Sequence, residues 1–381
     1  MSKRLMIIAG EASGDMYGGR LVKSLKEMVP DLTVYGVGGD AMAEAGVDLV
    51  VDIKDLSVMG IAEVLAKIVP LMKIRNKLVS NLKANPPDGL IVIDFPGMNI
   101  NLAGKAKELG IPVVYYVAPK LWVSRKGRIK KIRESVDRIL AIFPFEEEFY
   151  RSQGVPVKYV GNPIVDFLKD DTGFKQFCER FSINGRETII GILPGSRPAE
   201  IQRMLPVFLQ AAKLISLELD GPVRFFLPRA STVSEEMLVQ IIQDSGLDVD
   251  VIEGESRAVL QAADVSIVAS GTATLEAFLL GALQVVAYKT SWLTYFLGMR
   301  LLNVPRVSLP NLLTGKDVVI ELLQHQAIPE RLAREALGLL ASNDARTSYL
   351  EAAQEVRLSL KGEGASKLAA EAVIEVIETG K

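Results

Sequence analysis

Four short segments carry side chains whose types and spacing suit work on a phosphorylated substrate. Pro194-Gly195-Ser196-Arg197 follows the apolar run Thr188–Leu193 and precedes Pro198, a residue suited to the first position of a helix. Backbone N–H groups at such a helix start hold an anion, Gly195 lets a phosphate approach closely, and Arg197 can bond it with two donors. Neither a Walker A loop nor G-x-G-x-x-G is present, so the spacing alone fits an ordinary strand-to-helix turn with a solvated arginine equally well. Ser270-Gly271-Thr272-Ala273-Thr274-Leu275-Glu276 repeats the plan after Val265–Ala269. Its hydroxyl and N–H groups suit a second phosphate contact, and Glu276 is spaced to accept from ribose hydroxyls. A carboxylate in so apolar a stretch is costly to bury alone, so Glu276 requires a partner. Gly10-Glu11-Ala12-Ser13-Gly14-Asp15 ends the first apolar run, and Asp94, before Phe95-Pro96-Gly97-Met98-Asn99, ends another. Glu11, Asp15 and Asp94 are therefore three acids at expected strand ends, where burial could raise a carboxylate toward service as a general base. The plainer reading makes Ser13 or Asp15 a helix cap.

Composition narrows the chemistry further. The 381 residues hold 44 basic and 46 acidic side chains, a net charge of −2, with 49% apolar residues. That length supports two domains with separate cores. A single cysteine, Cys178, and a single histidine, His325, build neither a disulfide, a Cys/His zinc site nor a Ser-His-Asp triad. Asp248-Val249-Asp250 matches a D-x-D metal signature only superficially, because the alternation is that of a strand. No cofactor and no metal are expected. The apolar run before Glu11 is shorter than a secretory signal core and reads as a buried strand. No uncharged run reaches the ~20 residues of a spanning helix.

Positioning these residues requires an α/β fold, because β-branched runs alternate with helical patterns as in parallel sheets with crossover helices. Strands are expected at Leu5–Ala9, Thr33–Tyr35, Gly89–Asp94, Val113–Val117, Arg138–Ile142 and Val157–Val160, then at Thr188–Leu193, Val223–Leu227, Val249–Ile252, Val265–Ala269 and Val285–Tyr288. A charged stretch at 165–186 separates the two series. The expected organisation is one doubly wound domain over 1–165, a second over 166–345, and helices over 346–381 returning to the first domain or to a partner subunit. Two doubly wound domains facing a cleft place ligands at the carboxyl ends of their strands.

Three other stretches offer surfaces. Lys120–Arg133 has seven basic residues in fourteen and no acid, which suits an anionic membrane, a phosphorylated substrate or simply solvent. With one aromatic, Trp122, among those charges and a slightly acidic chain, nucleic acid is the weakest partner. Leu56–Met72 and Ser291–Met299 are broadly apolar and suit acyl chains, a membrane interface or core packing.

In order along nearly the whole chain, these motifs resemble those of the lipid-A-disaccharide synthases. The resemblance rests on AGEASGD at 9–15, Leu56-Ser57-Val58-Met59-Gly60-Ile61 with Glu63, Ile93-Asp94 with Pro96 and Asn99, and Tyr116-Val117 with Pro119 and Trp122. It continues through Phe143-Pro144-Phe145-Glu146, LPGSR at 193–197, ASGTATLE at 269–276 and SLPNLL at 308–313. It implies a GT-B fold and a metal-free, inverting transfer from UDP-2,3-diacylglucosamine to 2,3-diacylglucosamine 1-phosphate. Asp94, Glu11, Asp15 and Arg197 are the expected catalytic residues. Ser13, Gly14, Met59, Glu63, Asn99, Trp122, Gly195, Ser196, Ser270, Gly271, Thr272, Glu276 and Asn311 are the expected substrate contacts. The family often has a second aspartate where Gly97 stands, histidine where Asn162 stands and tryptophan where Ser124 stands, so the base falls to Asp94, Glu11 or Asp15. The resemblance further implies a homodimer and a peripheral place on the cytoplasmic face of the inner membrane. Competing readings are a UDP-sugar 2-epimerase or other GT-B transferase, and a non-catalytic lipid- or nucleotide-binding protein.

Overall fold

Apolar runs without alternation demand cover on both faces, and the structure supplies it with two parallel sheets flanked by helices. The computed structural model describes residues 3–57, 64–119, 121, 127–168, 172–289, 306–360 and 364–379. The chain forms two units, one of residues 1–166 and 360–381, the other of residues 167–359.

The first unit holds β1 (Arg4–Ala9), β2 (Thr33–Gly38), β3 (Asp48–Asp52), β4 (Gly89–Ile93), β5 (Val113–Tyr116), β6 (Arg138–Ala141) and β7 (Val157–Tyr159). Their order is β3-β2-β1-β4-β5-β6-β7. Strand order reverses between β1 and β4, which pair in parallel with Ala9 opposite Ile93. The second unit holds β8 (Thr188–Leu193), β9 (Val223–Arg229), β10 (Asp250–Glu253), β11 (Val265–Ala269), β12 (Gln284–Tyr288) and β13 (Ile320–Leu323), ordered β10-β9-β8-β11-β12-β13. Here the reversal lies between β8 and β11, with Leu193 opposite Val268. At both reversals the following crossovers leave to opposite sides and open a crevice at the carboxyl edge. The central strands are buried end to end, as in β4 and β11.

The carboxyl-terminal helices divide differently from the expectation for 346–381. Helix Asn343–Ser359 belongs to the second unit. Its Tyr349 hydroxyl donates to the Ala282 carbonyl (2.7 Å) and accepts from Gln284 Nε2 (3.0 Å), and its ring meets Phe278 edge-on. Only helix Ala365–Thr379 joins the first unit, burying Ala369, Ala370, Val373 and Val376. Asp166 caps it, accepting from the N–H groups of Gly364 (2.9 Å) and Ser366 (3.0 Å) and from the Ser366 hydroxyl (3.0 Å).

Asp15, on helix Ala12–Met28, is another such anchor. It is 6% exposed; its Oδ1 accepts from the N–H groups of Gly39 (2.6 Å) and Met42 (3.1 Å), and its Oδ2 from that of Ala41 (3.0 Å). Burial raises its pKa, and the three N–H groups oppose the rise. The carboxylate ties the first helix to the chain turn after β2, and both its oxygens are occupied. Asp15→Ala leaves three buried donors unmet and is expected to cost about 3 kcal/mol in urea unfolding. An unchanged urea midpoint with turnover abolished would return Asp15 to the catalytic set.

Candidate active site

In the first unit the candidate acids stand at the ends of neighbouring strands. Glu11 is two residues beyond Ala9, at the start of helix Ala12–Met28, and Asp94 is one beyond Ile93. Ser13 lies in the first helical turn, and Gly14 is buried against Ala9 and Ile93. After β4 the chain does something rare: Asp94 (φ 43°) and Phe95 (φ 45°) are both left-handed and neither is glycine. Each such residue costs about 1–3 kcal/mol and persists only where its surroundings enforce it.

Here the enforcement is visible. The Asp94 carbonyl accepts from the Tyr115 hydroxyl (2.7 Å) and from Asn99 Nδ2 (2.9 Å), and Asn99 Nδ2 also donates to the Ile93 carbonyl (3.1 Å). The Phe95 ring lies over Gly10, where a Cβ would come within 2.4 Å of the ring. Glycine at position 10 is therefore a packing requirement that locks the two acidic loops together. Asn99, expected as a substrate contact, is fully buried and directs its amide nitrogen at this backbone, while its Oδ1 has no partner among the described residues. Gly97 opens on empty space, and Asn162 is a buried cap whose Oδ1 accepts from the Ile164 N–H (3.0 Å). Glu146, from the Phe-Pro-Phe-Glu motif, caps its own helix, accepting from the N–H groups of Ile142 and Phe143 (both 3.2 Å). Met59, Glu63, Trp122 and Ser124 lie outside the described residues, as do Lys120, Arg125, Lys126 and the stretch Ser291–Met299; the rest of the basic run forms helix Arg128–Ser135.

In the second unit the turns after β8 and β11 are side by side, because those strands pair. Gly195 takes φ 115°, and a Cβ there would strike the Glu200 carboxylate at 2.6 Å, so this turn requires glycine. The Ser196 carbonyl accepts from the Thr232 hydroxyl (2.6 Å). Arg197 is the N-cap residue of helix Pro198–Glu218; its side chain is 55% exposed and meets Glu200 at 3.0 Å. At the neighbouring end of β12, burial raises the Tyr288 phenol, Glu200 adds to the rise, and Arg197 and Arg203 oppose it. These four groups thus share one electrostatic neighbourhood. Sequence reading missed Glu200, Thr232 and Arg203; only Glu200 carried a signal, three residues past Arg197 on one helix.

Beyond β11, Ser270 continues the ladder to β12 through its N–H, and Gly271 and Thr272 open helix Thr272–Leu280. Glu276 is 9% exposed, with Oε1 at 3.2 Å from Arg257 Nε. Burial raises this carboxyl, and Arg257 draws it back. Arg257 is itself fixed by the Phe167 carbonyl (2.8 Å) and lies over the Phe167 ring. The partner that Glu276 required is therefore protein, and no sequence signal marked Arg257.

Asn311 departs from expectation. It is buried, donating to the Val319 carbonyl (2.9 Å) and Glu321 Oε1 (2.7 Å) and accepting from the Val319 N–H (2.9 Å). The Ser308-to-Leu313 motif thus fastens helix Leu309–Thr314 to β13 and uses both N–H donors of this amide. Asp250, of the D-x-D pattern, is held by Arg224 at 2.9 Å.

Comparison with known proteins supplies the context for this geometry. Residues 5–376 match the family model described as lipid-A-disaccharide synthetase. The lipid-A-disaccharide synthase of Myxococcus xanthus is 41% identical over 378 residues, covering 99% of this chain and 98% of that protein. The protein of the same name from Trichlorobacter lovleyi is 40% identical over 376 residues, with the same coverage. Among solved structures, the UDP-GlcNAc 2-epimerase of Neisseria meningitidis bound to UDP-GlcNAc matches with TM-score 0.68 at 16% identity, over 98% of this chain and 100% of that one. A glycotransferase of kitacinnamycin matches with TM-score 0.62 at 13% identity, over 99% and 100%. Those distant structures share the GT-B fold alone, whereas the full-length match in sequence distinguishes a family within it. The chain belongs to the lipid-A-disaccharide synthase family of glycosyltransferases.

Proposed function

We propose that this protein transfers 2,3-diacylglucosamine from its UDP conjugate to the 6-hydroxyl of 2,3-diacylglucosamine 1-phosphate, giving the β-1,6 disaccharide 1-phosphate and UDP. The observation that carries the reading is the pairing of β8 with β11, which sets two small-residue helix starts beside each other with the buried Glu276 one and a half turns into the second. Free N–H groups around Ser196 and Gly271 form an anion cradle of the kind a diphosphate fits. Arg197 adds a mobile positive charge, and Glu276, oriented by Arg257, accepts from the ribose.

In the first unit Asp94 is the general base. The acceptor 6-hydroxyl attacks the anomeric carbon as Asp94 takes its proton; the bond from that carbon to the diphosphate oxygen breaks, and UDP leaves with the electron pair. Inversion follows from attack opposite the leaving group. Glu11, from the adjacent strand end, is the second carboxylate of this edge. The basic helix Arg128–Ser135 and the apolar stretches Leu56–Met72 and Ser291–Met299 serve the acyl chains and the anionic lipid surface that carries both substrates. Among the described residues, no helix is long and apolar enough to cross a membrane.

Arg197→Ala is expected to lower kcat about 10²-fold, the scale of losing one charged donor to a developing anion. Its melting temperature should stay within about 2 °C, because a half-exposed ion pair contributes little to stability. Near-normal turnover would remove Arg197 from the reaction. Glu276→Gln is expected to weaken UDP binding about tenfold in calorimetry, and unchanged affinity would reject the ribose contact. The reaction itself is tested by mixing the protein with both acylated substrates and excess chelator and following disaccharide and UDP by mass spectrometry. Tight UDP binding without disaccharide would refute the proposed transfer.

A further inference from the structure

A carboxylate that removes a proton in the transition state must stand in one place, yet Asp94 stands on backbone that an aspartate does not adopt by preference. Two consecutive non-glycine residues in the left-handed region, Asp94 and Phe95, follow directly on the last paired residue of β4. The ladder to β5 continues through the Asp94 N–H, which donates to the Tyr116 carbonyl (3.3 Å), and breaks at the Asp94 carbonyl. That carbonyl is turned instead toward two side-chain donors on different elements: Tyr115 on β5 and Asn99 in the first turn of helix Pro96–Glu108. Both donors are fully buried. Their hydrogen bonds reach only backbone: Tyr115 the carbonyl of Asp94, and Asn99 those of Ile93 and Asp94.

We propose that the Tyr115 hydroxyl and the Asn99 amide are positioning groups for the transfer reaction, holding the Asp94 backbone in its left-handed turn so that the Asp94 carboxylate is presented to the acceptor hydroxyl. The inference rests on Asp94 being the general base. It assigns a task to two residues that touch no substrate. Asn99 falls within a motif shared with the family, but the motif does not say what the amide does; its geometry does. Tyr115 lies in an apolar strand and carries no motif signal at all. Burial holds the Tyr115 phenol well above its ordinary pKa, so it remains a donor throughout any workable assay range.

The other support is steric. The Phe95 ring lies on Gly10, so the turn is clamped from the β1 side by packing and from the β5 side by hydrogen bonds. Removing the Tyr115 hydroxyl leaves the carbonyl one donor of two. The turn then relaxes toward ordinary extended backbone for part of the time, and only the remaining fraction of molecules is set for catalysis. A loss of this kind falls on kcat and spares substrate binding.

The test is a double-mutant cycle in the full-length protein, with disaccharide formation as readout. Tyr115→Phe is expected to lower kcat about tenfold or more with both KM values and UDP affinity within about twofold. In the Asp94→Asn background the same change should lower residual kcat less than about twofold, because a group that acts through Asp94 has nothing left to position. Tyr349→Phe is the control: it removes a buried hydroxyl that donates to a backbone carbonyl at 2.7 Å and also accepts from Gln284 Nε2, and should leave kcat within about twofold while lowering the melting temperature at least as much. An equal kcat loss from Tyr115→Phe in both backgrounds, or a loss no larger than the control's, overturns the inference and leaves Asp94 as base. Near-normal turnover by Asp94→Asn alone is a different result and overturns the base assignment, with the positioning role that depends on it.

Discussion

A parallel strand returns to its neighbour only through a crossover, and where successive crossovers change side the carboxyl ends of two adjacent strands are left uncovered. This constraint governs both units. It acts between β1 and β4 in one and between β8 and β11 in the other. Every residue retained in the candidate site stands one to seven positions past one of those four strands: Glu11 after β1, Asp94 after β4, Gly195 to Arg197 after β8, and Ser270 to Glu276 after β11. The chemistry differs between the units because the loops differ. One edge carries Glu11 and Asp94, and the other carries two helix starts and Arg197.

Holding such loops still requires polar side chains that look, in the sequence, like the reactive ones. Asp15, Asn99, Glu146 and Asn311 all sit in motif segments, and each makes hydrogen bonds to backbone groups. A buried carboxylate or amide without such partners would be costly, so these bonds are the condition for burying the groups at all. Glu276 shows the intermediate case: one oxygen is held by Arg257, which orients the side chain without exhausting its capacity. Residue type and motif membership therefore identify the loops, and the direction of each hydrogen bond separates anchors from candidates.

The same reasoning explains what was legible beforehand. Central strands such as Thr188–Leu193 and Val265–Ala269 match expectation residue for residue, because burial on both faces leaves an unbroken apolar run. The two strands that sequence reading missed, Asp48–Asp52 and Ile320–Leu323, are both sheet edges, short and mostly half-exposed, with acidic residues in their runs. Charged, short edges resist pairing with other chains, and the property that protects them also conceals them. The strand-end acids could be listed from the sequence but not ranked, since the three donors to Asp15 come from the start of helix Asp40–Glu44, over twenty residues away. Likewise nothing in the run Val113–Tyr116 distinguishes Tyr115 from Tyr116, although only Tyr115 reaches the Asp94 carbonyl.

Chain order adds a further constraint on how the first unit is made. Helix Ala365–Thr379 packs on helix Ala12–Met28 and on β5 and β6, so the apolar surface it covers is completed by residues far along the chain from those elements. Its alanines allow close approach, and its ion pairs reach back to the starts of three strands: Glu378 to Lys3, and Glu375 to Arg138 and Lys158. Those pairs are exposed enough to contribute little each, so the buried alanine and valine face and the Asp166 cap carry the attachment. The second unit has no such dependence, since residues 167–359 are contiguous. The second unit can therefore form from consecutive sequence, whereas the first closes its core through contacts more than three hundred residues apart, the kind of long-range closure that slows folding.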